Sequence, residues 1–66
     1  MSVPKRGAGK GQWVGYSRKD VSIAIEDAYN FAKEDITGAI ELKVEAIYVT
    51  GNNPLSEYIV VLVPVT

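Results

Sequence analysis

No cysteine and no histidine occurs in the 66 residues. Disulfides are therefore excluded, and so are thiolate and imidazole metal sites. Cysteine nucleophiles and Ser-His or Cys-His pairs are excluded with them. Acid–base chemistry would fall to Asp, Glu, Lys or Tyr, and a metal could be held by oxygen ligands alone, which favours calcium or magnesium. No apolar run nears the roughly 20 residues that a membrane helix needs. The opening Met-Ser-Val-Pro-Lys-Arg lacks the apolar core of a signal peptide, so a cytoplasmic location is expected and membrane association is not. Length caps the chain at one domain, of a size that is marginal without disulfides, metals or oligomerisation. With the first two absent, oligomerisation is the expected aid.

Charge is unevenly spread. Lys5, Arg6, Lys10, Arg18 and Lys19 fall in residues 1–19 with no acid among them. Thereafter Lys33 and Lys43 stand against all eight acids. A basic leader thus precedes an acidic body. Residues 1–11 hold Pro4, Gly7, Gly9 and Gly11 and show no apolar periodicity, which predicts a flexible basic arm ahead of a domain over 12–66. Gly7-Ala8-Gly9-Lys10-Gly11 has neither the spacing nor the preceding strand of a phosphate-binding loop. The arm offers only non-specific electrostatics, so nucleic acid is not the expected partner.

Gln12–Ser17 predicts a short strand through Trp13, Val14 and Tyr16, with Gly15 marking a close approach or a bulge. Asp20 is the expected N-cap of the next element, and Ser17 competes for that role. Apolar residues at 21, 24, 25, 28, 31, 32 and 36 predict a helix from Val21 to about Asp35. Gly38 is placed as its left-handed C-cap. Ala24, Ala28 and Ala32 share a stripe of small residues that lets the helix lie close to a sheet. Glu26, Asp27, Asn30, Lys33 and Glu34 are expected to face water.

Residues 39–49 predict a strand. Ile40, Leu42, Val44 and Ala46 point one way, and Glu41, Lys43 and Glu45 the other. Thr50–Ser56 predicts a turn longer than the tightest hairpin. Residues 57–65 predict a last strand, with Tyr58, Val60 and Leu62 on one face and Ile59, Val61, Val63 and Val65 on the other. Both faces are apolar, yet one helix covers one face. An antiparallel strand wet on its back should alternate. A second copy of the chain is the expected cover, which makes Ile59, Val61, Val63 and Val65 the candidate oligomer interface. Trp13, Tyr16, Tyr48 and Tyr58 read as packing residues ahead of a stacking surface. The charged row Glu41, Lys43, Glu45 has no nucleophile or cleft beside it, so no catalytic residue is assigned and the reading is non-enzymatic.

The element order, with Val14-Gly15-Tyr16-Ser17, Asp20, the alanine stripe and Tyr58-Ile59-Val60-Val61-Leu62-Val63, resembles the dodecin family over residues 12–65. That resemblance implies an α+β fold: a β-α-β-β unit with one helix packed on a three-stranded antiparallel sheet. It also implies a homo-oligomer, a hollow dodecamer, that binds and stores a small ligand, with flavin (FMN, FAD or riboflavin) as the family's cofactor. Members stack flavin on a tryptophan of the second strand and bond it through a glutamine of the last strand. Glu41 or Leu42 occupies the first position here and Ile59 the second, so neither contact is retained. A ligand would be sought near Glu41, Leu42, Lys43 and Ile59. The alternative is a structural shell or interaction module without flavin, whose basic arms bind nucleic acid or an acidic partner.

Overall fold

The computed structural model describes residues 3–52 and 55–65. Its elements are β1 (Gly7–Gly9), β2 (Gln12–Ser17), α1 (Val21–Asp35), β3 (Leu42–Asn52) and β4 (Leu55–Pro64). The fold is α+β: one helix on a four-stranded antiparallel sheet of order β1-β2-β4-β3.

The helix starts where its cap demands. Asp20 is extended, and its Oδ1 accepts the Ile23 amide at 2.9 Å and the Ser22 hydroxyl at 2.7 Å. This supplies one of the first-turn amides that lack a helical partner. Ser17 shapes the approach instead, its Oγ accepting the Lys19 amide at 2.9 Å. At the other end Gly38 is not the cap. Ile36 stops the helix in an extended conformation while its amide still donates to the Ala32 carbonyl. Gly38, at φ +91°, turns the chain two residues later.

The alanine stripe sets the distance between helix and sheet. Ala24, Ala28 and Ala32 are fully buried. A Cβ on Gly15 would overlap the Ala24 carbonyl oxygen and the Ala28 amide nitrogen. Gly15 is therefore a point of close approach, where the backbones of α1 and β2 touch. Val60 pairs with Gly15 from the central strand β4 and is fully buried beneath the same helix.

Three expectations are corrected. The segment expected to be a flexible arm contains β1, which adds a fourth strand to the expected three. Gly7, Ala8 and Gly9 pair with Val14, Trp13 and Gln12, and Gly11, at φ +72°, helps Lys10 and Gly11 reverse the chain. Such a strand offers backbone pairing and almost no apolar side chain, so periodicity could not reveal it. The hairpin is also tighter than expected: pairing of β3 with β4 runs to Asn52↔Leu55, and only 53–54 lie between, outside the described residues.

The third correction concerns the faces of β3. Val44 pairs with Leu62, but Ala46 pairs with Val61, so Glu45 is the extra residue of a β-bulge. Leu42 and Val44 share the helix side of the sheet. Beyond the bulge, Ala46 and Tyr48 pass to the opposite side and Ile47 and Val49 take the helix side. The expected alignment of Ala46 with Ile40, Leu42 and Val44 fails for that reason.

Candidate functional site

The four candidate ligand residues do not converge within one chain. Glu41 lies just before β3, where its carbonyl accepts the Val65 amide at 3.2 Å. Leu42 pairs with Pro64 and packs against the core on the helix side. Lys43 is exposed on the other side, opposite Val63. Ile59 is four residues further along β4, about 13 Å at the strand's rise, between Tyr16 of β2 and Tyr48 of β3. Glu41 and Lys43 thus form one locality, and Ile59 another.

The candidate interface residues also part company. Ile59 and Val61 are 7% and 3% exposed within the single chain. They form a second cluster with Val14, on the sheet face away from the helix, flanked by Tyr16, Ala46, Tyr48 and Val63. The sheet's own neighbouring side chains dry this face at its centre, because β4 lies between β2 and β3 and long residues stand on both sides of it. The premise that only another molecule could shield Ile59 and Val61 is corrected. Val63 is half-buried, and Val65 is exposed.

The uncovered apolar surface lies elsewhere. α1 rests over β2 and β4, and its backbone does not reach β3. Along the helix side of β3, Val44, Ile47 and Val49 remain 42%, 48% and 65% exposed. Tyr29 is also exposed, on the flank of α1 opposite Asp27 and Phe31.

Polar side chains organise the other edge of the sheet. Arg6 reaches across twenty-one residues of sequence to Asp27, with its Nε and Nη2 each donating at 2.7 Å to separate carboxylate oxygens. The same Asp27 Oδ2 accepts the Tyr16 amide at 3.0 Å. The guanidinium also sits 4.8 Å over the Phe31 ring. Hydrogen bonding from Arg6, joined by the Tyr16 amide, holds the Asp27 carboxyl below the usual aspartate range against some desolvation. Asp27 therefore does not simply face water. Sequence patterning missed it, since nothing local announces a partner in the basic leader. Arg6 is thereby withdrawn from the cationic arm, while Lys5 and Lys10 stay exposed. At the helix end, the buried Trp13 donates its indole N–H to Asp35 at 2.7 Å, so this aromatic is a packing residue.

Among the described residues, no three His, Cys, Asp or Glu side chains gather as a metal site would require. No helix among the described residues is long and apolar enough to cross a membrane. No family model, curated protein or solved structure matches the chain.

Proposed function

We propose that this chain is a self-assembling, non-catalytic binding protein of the dodecin type, which holds a small ligand where copies meet. One observation carries the reading. The single chain exposes 4718 Å², with Val44, Ile47 and Val49 among its exposed side chains, against about 4100 Å² for an average folded monomer of this mass. The excess includes apolar side chains, and association removes such surface from water at about 25 cal/mol per Å². The β-α-β-β order of β2, α1, β3 and β4 supports the same reading.

Flavin is the first ligand to test, because the resemblance supplies it. Glu41, Leu42 and Ile59 provide neither the ring nor the amide that the family uses, so tight isoalloxazine stacking is not part of this proposal. A shell acting through basic arms is the weaker reading, since β1 and Arg6 are engaged with the body of the fold.

The test is to purify the protein natively, record its visible absorbance and measure its mass by light scattering. A mass several times the 7.2 kDa of the chain is expected. Yellow colour would add flavin to the reading, and a colourless assembly would leave another ligand. A folded monomer at micromolar concentration overturns the proposal.

A further inference from the structure

We infer that a second copy of this chain seats on β3, joining its open edge and covering Val44, Ile47 and Val49. The inference rests on the self-assembly reading and gives it a surface.

The two edges of the sheet are treated differently. On the β2 side, β1 pairs against Gln12–Val14. By the period of two, Tyr16 presents the next outward amide, and Asp27 takes it up while Arg6 clamps the carboxylate. That side leaves only the three-residue β1 as an open edge. On the other side β3 is the last strand of the sheet over its eleven residues. Unpaired edge groups of this kind are a template for another chain.

The charges along β3 say where that chain fits. Glu41, Lys43 and the bulged Glu45 crowd its beginning, and charges and bulges both discourage edge pairing. From Ala46 to Asn52 the strand has no charged residue and no proline. Ile47 and Val49, the two most exposed large apolar side chains among the described residues, stand in this stretch.

The single chain's 4718 Å² is about 600 Å² above the average for a folded monomer of this mass, so it has surface to lose on association. A second copy brings the same open edge and apolar row. A formal net charge of −1 gives two copies little reason to repel. Antiparallel pairing centred on Tyr48 would set Ile47 of one copy against Val49 of the other and Ala46 against Thr50, leaving Glu45, opposite Gly51, at the end of the seam and Lys43 beyond it.

The test is sedimentation of the full chain beside an Ile47→Lys/Val49→Lys variant and an Ile23→Lys control. Ile23 is exposed on the opposite flank of α1. The wild-type protein and the control should share one mass. The double variant should lose at least half of it while keeping helical circular dichroism. A wild-type protein already at 7.2 kDa sinks both the self-assembly reading and this one. An assembled wild type with a double variant of unchanged mass sinks the β3 seat alone. Should the lysine variant not fold, Ile47→Thr/Val49→Thr, which keeps strand propensity, replaces it. Its mass must fall on dilution where the wild type's does not, and equal masses overturn the inference.

Discussion

Arg6 and Asp27 form a two-pronged ion pair that ties the basic leader to the middle of the helix, and Asp27 also holds the Tyr16 amide. One carboxylate thus joins three separate parts of the chain. Replacing it by alanine frees β1 from its anchor and leaves a half-buried amide without a partner. Loss of that one hydrogen bond alone should cost about 1 kcal/mol. Urea denaturation of Asp27→Ala against wild type measures it, and an unchanged midpoint would remove Asp27 from the account of the edge.

The same carboxylate gives stability a dependence on acid. Its folded pKa is depressed, chiefly by hydrogen bonding from Arg6. Such a group contributes fully above its unfolded pKa of about 3.9, and the contribution is lost as pH falls through the lower folded value. Asp20, held low by the Ser22 hydroxyl and the Ile23 amide, acts in the same direction. The thermal midpoint should therefore drop below about pH 4, and Asp27→Asn should flatten the slope there. Parallel slopes for variant and wild type would refute the assignment.

Gly15 admits no side chain. Gly15→Ala must push α1 off the sheet or displace β2, because the new Cβ meets backbone atoms of Ala24 and Ala28. Overpacking of this kind costs about 1–3 kcal/mol, and here the obstacle is backbone. A sharp fall in the denaturation midpoint is expected. A variant as stable as wild type would mean that the helix stands further from the sheet.

At the helix start, Asp20→Ala should lower the midpoint, and Asp20→Ser should restore most of it, since a hydroxyl can also accept the Ile23 amide. Equal losses in the two variants would point away from capping.

Trp13 is the single tryptophan and is buried, so its fluorescence reports on one place. Asp35→Ala leaves the indole N–H without the acceptor now at 2.7 Å, at a cost of about 1 kcal/mol. Asp35→Asn retains a carbonyl acceptor and should lose less. The emission maximum and the unfolding midpoint together distinguish the two.

Much of this architecture is legible in the sequence where the signal is local. The alanine stripe, the Asp20 cap and the close approach at Gly15 each follow from residue size or side-chain chemistry within one or two turns. What the sequence hides depends on distant pairing. β1 has no apolar pattern because Gly-Ala-Gly contributes only backbone. The bulge at Glu45 becomes visible once Val44 and Ala46 are matched to Leu62 and Val61. Asp27 looks like any surface acid until Arg6 is brought to it. Among the candidate site residues, Ile59 and Val61 illustrate the same limit. Their apolar character is plain, but whether a neighbouring strand or a neighbouring molecule dries them is set by β4 lying between β2 and β3.

Where Gly15 meets Ala24 and Ala28, backbone lies against backbone and the two layers leave no room between them. Nothing the size of a cofactor can slip under the helix at that point without prising the fold apart. On the self-assembly reading proposed above, a ligand would ride on the outside of the fold, in a berth formed where chains meet. Loading and disassembly would then be two views of a single equilibrium.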